Sequence, residues 1–459
     1  MKLNKSRNLT FVDRFNDMTS AAELRVIPRR AVISWILYDL ANVIFSMGVI
    51  SLNFSLFVSK EVGPARADSV YGLITAVAMG IMFLLSPLLG ALTDRAKKRM
   101  PFLFWATVLS CTCTALLARG PFMVSALLFI FANAGYQAGV QFYDSLLPEV
   151  TTEKNRGRIA GLAVGLGYLG SYIAVGIGLI IAPKVGPFPY SFYFLLVAIA
   201  FFVIATPAFL FIKEKGNPSP RPIWGWKVVT ESVAQTIHTL KSGNKYPGLL
   251  RFLVGRAFYT DAINTVIAFM TLYTVNLAIN TGLTSEQGHA KAQLVLLSAI
   301  TAAIPGGILW GMVVDRLGPK RTLNIVLMCW MATFALAACI GFFALPIGFL
   351  FLVSCAAGIS LGGTWASDKT LMLRLTPPDR VGEFYGLYGM VGRFSAVTGP
   401  LIWGATTFIV VERMGKPAVI GEALAILMLL VMVIVAYRIL HSVSDEKRDW
   451  VALGHLPGL

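Results

Sequence analysis

A charge inside an apolar run of membrane length needs a reason, because an ionised side chain there costs roughly 2.5–3.5 kcal/mol on insertion scales. Asp39, Asp144, Arg256, Asp261, Asp368, Lys369, Arg393 and Glu422 all stand inside such runs. The acids come in pairs about half the chain apart. YDLAN (Tyr38 to Asn42) answers TDAIN (Thr260 to Asn264), matching Asp39 with Asp261 and Asn42 with Asn264. Asp144 answers Asp368, and Arg156 answers Arg380. The basic loop GALTDRAKKRMP (Gly90 to Pro101) answers GMVVDRLGPKRT (Gly311 to Thr322), pairing Asp94 with Asp315 and Arg95 with Arg316. The buried cations have no such twins: Arg256 faces Ser34 in the alignment of halves, Lys369 faces Ser145 and Arg393 faces Leu169. What both halves keep belongs to a shared machine; what one half adds is tuned to a ligand.

Asp39 falls roughly 12 Å into its helix, with Asn42 on the same face and Tyr38 beside it. Asp261 falls deeper, with Asn264 on its face and Tyr259 close by. These groups either line a central cavity, where they hold polar parts of a substrate or titrate with a coupling proton, or bond two helices together. Arg393, near mid-depth, carries a permanent charge whose fork fits carboxylates. It is expected to take an anionic substrate group or to serve as counter-ion to Asp261. Arg256 joins it as a binding candidate, or snorkels to the interface. Asn133, Gln137 and Gln141 recur every four residues beside Tyr136, a polar stripe read as cavity lining over interhelical glue. Trp365 completes the binding set. Asp94, Arg95, Asp144, Arg156, Asp315, Arg316, Asp368, Lys369 and Arg380 are read as gate contacts. Asp94 and Asp315 are expected to meet a neighbouring helix N-terminus or an arginine, with Arg95 to Arg99 resting on anionic lipid. Glu422 is expected to be solvated at the start of the last helix.

The elements that position these residues follow from composition. Of 459 residues, 56% are hydrophobic and only 14% charged, with mean hydropathy +0.71. A soluble chain carries roughly a quarter charged residues. Apolar runs of about 20 residues recur, too long for barrel strands, so they are membrane helices. They are predicted at 31–58, 68–93, 101–118, 121–147, 158–182 and 190–212, then at 248–279, 288–314, 321–341, 345–374, 382–410 and 417–440. The chain is thus an all-α membrane protein of twelve transmembrane helices in two six-helix pseudo-repeats, bundles over 31–212 and 248–440. A basic tail (1–30), a polar linker (213–247) and a second tail (441–459) complete it. Most of the 39 Lys and Arg fall on the tails and the even-numbered loops, so both termini are assigned to the cytosol. The net charge of +16 is explained the same way, and no nucleic acid is expected. The five cysteines lie in apolar runs, which argues against disulfides or a metal site. No Walker loop, zinc spacing or nucleophile elbow appears, so no cofactor or enzymatic turnover is expected.

The twelve-helix plan with its Gly-x-x-x-Asp-Arg-x-x-x-Lys/Arg loops resembles the major facilitator superfamily. SWILYDLANVIFS (Ser34 to Ser46), FYDSLLPEV (Phe142 to Val150), RGRIAGLAVGLGYLG (Arg156 to Gly170) and EFYGLYGMVGRFSAVTGP (Glu383 to Pro400) are similar to its UMF ("unknown major facilitator") group. That group includes bacterial relatives of the fungal vacuolar amino-acid effluxer linked to autophagy. The resemblance implies a secondary transporter of the major facilitator fold, with an amino acid as the favoured substrate. The expectation is a monomer in the cell (inner) membrane that moves a small anionic or zwitterionic metabolite by alternating access. Protons and membrane lipids are its other expected partners. The alternatives are an exporter or facilitator of amphipathic solutes, such as drugs or lysolipids, and a non-transporting sensor built on the same scaffold.

Overall fold

The computed structural model describes residues 27 to 450 apart from 184–185, 218, 224, 242–245, 395–397, 445 and 447–449. Most of both predicted tails lies outside the described residues. Among those residues all regular structure is helical. Eleven helices are long and apolar enough to cross a membrane, and Met100–Leu116 is a shorter apolar twelfth. In chain order they are α1 (Arg29–Val62), α2 (Pro64–Arg95), α3 (Met100–Leu116), α4 (Phe122–Ser145), α5 (Arg156–Ile181) and α6 (Tyr190–Phe211). The second set is α7 (Leu249–Asn280), α8 (Ser285–Leu317), α9 (Pro319–Phe342), α10 (Gly348–Leu375), α11 (Val381–Phe394 and Thr398–Thr407) and α12 (Ala418–His441).

These match the predicted spans to within a few residues, with two additions. The stretch predicted as a polar linker contains a helix, Trp226–Lys241. It lacks an apolar run long enough to signal a span. The middle of α1, Ser46–Asn53, is wound as a π-helix. The wider turn is held by side chains: Tyr71 donates to the Ile50 carbonyl at 2.7 Å and Asn53 to the Gly48 carbonyl at 3.2 Å.

Local chemistry sets the helix starts. Gly63 and Gly318 both take φ 85°, which glycine alone adopts freely, and each precedes a proline that opens the next helix. Thr284 and Gln287 form a reciprocal capping box at the start of α8. Each bundle is then filled by rings. Trp35 stacks on Tyr143 at 4.5 Å and Phe54 on Phe129 at 3.9 Å in the first; Phe269 stacks on Trp403 at 4.9 Å in the second.

The two bundles meet closely at the end of the helices that carries the chain termini. A Cβ on Gly90 of α2 would stand 2.2 Å from the Gly382 carbonyl of α11, and one on Gly161 of α5 would stand 2.3 Å from the Gly307 carbonyl of α8. Backbone lies directly on backbone at both seams. Farther along the same helices the contact thins: the Tyr172 and Thr301 hydroxyls still bond α5 to α8 at 2.7 Å, but a Cβ on Gly72, Gly80, Gly176 or Gly404 would meet no heavy atom within 4 Å. The halves are sealed at the terminal side and part toward the other.

Candidate functional site

Three clusters of charge occupy the interior where α1, α4, α7, α10 and α11 converge. In the first, Lys369 of α10 reaches into the opposite half. Its Nζ lies 2.8 Å from Asp144 of α4 and 3.9 Å from Asp39 of α1, and 5.3 Å from the Tyr143 ring centroid. Two acids share one ammonium, which leaves one carboxyl group without a cation of its own. The second cluster is neutral and lies within the second half. The Arg256 Nε donates to Asp368 at 3.0 Å, while the Tyr259 and Tyr388 hydroxyls donate to the same carboxylate at 2.7 and 2.9 Å. The guanidinium also lies 3.6 Å from the Tyr388 ring centroid and donates to the Tyr388 carbonyl at 3.0 Å. Three donors converge on one carboxylate and the guanidinium takes a second acceptor, as a buried pair requires.

The third cluster is a lone cation. Arg393 donates to the Ser86 hydroxyl at 2.5 Å and to the Gln137 carbonyl at 2.9 Å. Among the described residues no carboxylate pairs with it. Neutral acceptors take two of its N–H groups without neutralising its charge, and its buried Nε has no partner among the described residues, so an incoming anion would gain strongly here. Tyr136 of α4 lies within electrostatic reach of Arg393 and also of Asp39, Asp144 and Lys369.

The predicted binding set divides on these facts. Asp39, Gln137, Arg256, Tyr259 and Arg393 belong to the clusters above. Trp365 is half-buried beside the Tyr168 hydroxyl, itself within reach of Asp39. Asn264 is half-buried on α7. Asn42 is buried, with both polar atoms of its amide unpartnered among the described residues. Tyr38 does not join them. It is buried in the first bundle, where its hydroxyl bonds Thr107 at 2.6 Å and its ring lies against Tyr143. Adjacent helical residues point about 100° apart, so Asp39 and Tyr38 cannot share a direction. Gln141 is also bound up: it accepts from Ser86, whose carbonyl accepts from the Gln141 Nε2 at 2.8 Å, so it ties α4 to α2. Asp261 accepts from the Gly399 N–H at 2.8 Å and pairs with α11 backbone, not with Arg393.

Of the predicted gate residues, Asp144, Asp368 and Lys369 lie in the charge clusters with Asp39 and Arg256, so depth does not separate gate from binding candidates. Asp94 accepts from the backbone N–H groups of Gly382 and Glu383, both at 2.7 Å, at the start of α11. Asp315 accepts from Gly157 and Arg158 at 2.6 and 3.0 Å at the start of α5. Both carboxylates thus sit on the positive end of a helix in the other half. Arg95 turns inward to Glu231 of the linker helix at 3.1 Å, and Arg99 to Asp94 at 3.1 Å. Of the basic run expected on lipid, Lys97 and Lys98 remain exposed. Arg380 bonds the Tyr246 hydroxyl at 3.1 Å. Arg316 is exposed. Arg156 helps line a polar cavity of about 520 Å³ beneath the Asp94 contact, together with Arg95, Arg99 and Arg380.

Glu422 reverses its expectation. It is buried and accepts from the Asn276 side chain at 2.7 Å, because α7 closes over the start of α12. Four polar groups escaped the sequence reading. Ser86 holds Arg393, and Tyr388 stacks on Arg256. Glu214 accepts from the Arg99 and Met100 N–H groups at 2.7 and 3.1 Å and so caps α3; burial pushes its carboxyl up from the usual range. Glu383, fully buried, accepts from Gln235 and Thr239 of the linker helix, each at 2.6 Å. Its place inside EFYGLYG was a signal, since an acid opening an apolar helix invites donors.

Comparison with known proteins agrees with this architecture. The chain is 26% identical over 435 residues to YxiO, an MFS-type transporter of Bacillus subtilis, covering 91% of this chain and 97% of that one. It is 25% identical over 324 residues to autophagy-related protein 22-1 of Neosartorya fischeri, covering 64% of this chain and 50% of the fungal protein. Among solved structures it superposes on the proton:xylose symporter XylE with a TM-score of 0.65 at 14% identity, over 89% of this chain and 93% of that one. On a bacterial homologue of the iron transporter ferroportin, in its outward-facing state, the TM-score is 0.66 at 14% identity, over 91% and 99%. These two likenesses show the major facilitator fold. A family model described as "Vacuole effluxer Atg22 like" matches residues 56–449, and the chain therefore belongs to the Atg22-like family of membrane transporters.

Proposed function

We propose that this transporter moves a small zwitterionic metabolite, an amino acid by preference, across the cell membrane by alternating access. The observation that carries the reading is the arrangement of charge. Arg393 is a cation held by neutral acceptors, and the Asp39–Asp144–Lys369 cluster has one acid in excess. A carboxylate on Arg393 and an ammonium or a proton beside Asp39 would neutralise both. An amino-acid cargo is what the resemblance of its motifs to the vacuolar effluxer group implies. Asn42, with its buried unpartnered amide, orients the bound molecule. With both termini in the cytosol, the sealed side is cytosolic and the conformation faces outward. The transporter acts as a monomer, and a proton held by Asp39 or Asp261 couples transport to the pH gradient.

Substrate counterflow into proteoliposomes, screened across amino acids, organic acids and peptides, tests this. Arg393→Ala should abolish counterflow of the responsive substrate and leave the protein folded. Counterflow that survives Arg393→Ala removes the anion seat. Uptake indifferent to an imposed pH gradient, together with an active Asp261→Asn, removes proton coupling.

A further inference from the structure

The linker helix Trp226–Lys241 has its faces arranged the wrong way round for a soluble segment. The side that docks on the protein is mostly polar: Val228, Ser232, Thr236 and Thr239 are buried, and Gln235 and Thr239 donate to Glu383 at the start of α11. Glu231 of the same helix meets Arg95 at the end of α2. The opposite side is apolar and open. Trp226 is 81% exposed, Val233 43% and Ile237 47%. At 100° per residue these three fall within about 40° of one another, a single stripe. Exposed cations surround it: Lys213, Lys215 and Arg221 precede the helix and Lys227 flanks the stripe. The lipid-facing side of α6 leads directly into this region, with Leu210 67% exposed at its last turn. An apolar stripe with a tryptophan, edged by Lys and Arg and continuous with a lipid-facing helix end, matches the chemistry of an anionic membrane surface.

We infer that the linker helix is a membrane-surface element, whose Trp226–Val233–Ile237 stripe lies in an anionic headgroup layer while its polar face ties α2 to α11. Lipid and seal then grip one rigid helix from opposite sides. Opening the terminal side separates Glu383 from Arg95, so the helix must release one of them, and its hold on the bilayer opposes that movement. The inference does not depend on which substrate is carried.

The test uses full-length protein in protein-free liposomes, with spin labels placed singly at Val233, Ile237, Lys215 and Lys227 in a background lacking Cys329, Cys339 and Cys355. Labels at 233 and 237 should collide with oxygen several-fold more than with an aqueous nickel chelate, and labels at 215 and 227 should show the reverse. The immersion should deepen when phosphatidylglycerol replaces phosphatidylcholine. Should that background fail to fold, quenching of wild-type fluorescence by brominated lipid, less that of Trp226→Phe, reads the same contact. Water-exposed labels at 233 and 237 in anionic liposomes, as a partner-protein surface would give, overturn the inference. Coupling is read as the distance between labels at Lys98 and Arg321. Combining Trp226→Ser, Val233→Ser and Ile237→Ser should raise the separated population about threefold. Immersion with no change in that population overturns the mechanical link.

Discussion

Asp94 and Asp315 each receive two backbone hydrogen bonds from the first turn of a helix in the opposite half, from Gly382 and Glu383 in one case and from Gly157 and Arg158 in the other. Around that shared core the two seams differ. At Asp94 a third partner, Arg99, closes on the same carboxylate, and the linker helix lies across the contact through Glu231, Gln235 and Thr239. At Asp315 the residue in the place of Arg99 is Lys320, which turns away to the His441 carbonyl at 3.0 Å. The duplicated chemistry makes the capture; the unduplicated linker reinforces one copy of it. A clasp strengthened on one edge opens from the other. On the proposed gating role, the α5–α8 seam yields first and the α2–α11 seam is the hinge that yields last.

The comparison can be broken most sharply at the glycines. Gly90→Val and Gly161→Val each place atoms where the facing carbonyl already sits, so both should prevent sealing and abolish transport, whereas Gly80→Val should be silent. Equal loss in both seam variants keeps the seams equivalent in geometry; a tolerated Gly161→Val would remove the second seam from the cycle. Next in size is the pair of acids. Asp94→Ala removes hydrogen bonds from two N–H groups and an ion pair, and should destabilise the sealed state by about 3 kcal/mol. Asp315→Ala should cost about 2 kcal/mol. Distance measurements across the terminal face check the order, and the reverse order refutes a hinge at α2–α11. Removing the linker's grip with Gln235→Ala and Thr239→Val leaves Glu383 buried and short of donors. That should cost about 1–3 kcal/mol in thermal stability and bring the two seams closer in strength. Lys320→Ala should change stability by under about 0.5 kcal/mol, as an exposed contact does; a large effect would mean that Lys320 itself supports the second seam.

The sequence carried the fold and the symmetry, because both are written in one dimension. Apolar runs report spans, and a constant offset reports duplication, which is why Asp94 and Asp315 could be matched before either was placed. What it could not report is direction around an axis. Tyr38 stands next to Asp39 and points into the bundle; Gln141 stands four residues from Gln137 and is absorbed by Ser86. Burial by a distant helix was equally hidden. Glu422 looks terminal in the chain and is covered by α7, and Asp261 looks like a partner for Arg393 until the Gly399 N–H is seen to hold it. The linker helix was missed because its helical pattern serves two surfaces at once.

The glycine seams have a further consequence, in the thermodynamics of switching. A seam of backbone on backbone freezes almost no side-chain rotamers when it closes, while a seam of Leu or Met would lose part of a kcal/mol or more for each. Little heat is exchanged either, since few apolar atoms leave their surroundings. The glycine contacts should therefore add little to the enthalpy or heat-capacity difference between the open and sealed forms, and what temperature dependence there is should come from the polar contacts around Asp94 and Asp315. Selection between the two forms is left to the few charges at the rim and to whatever occupies the centre.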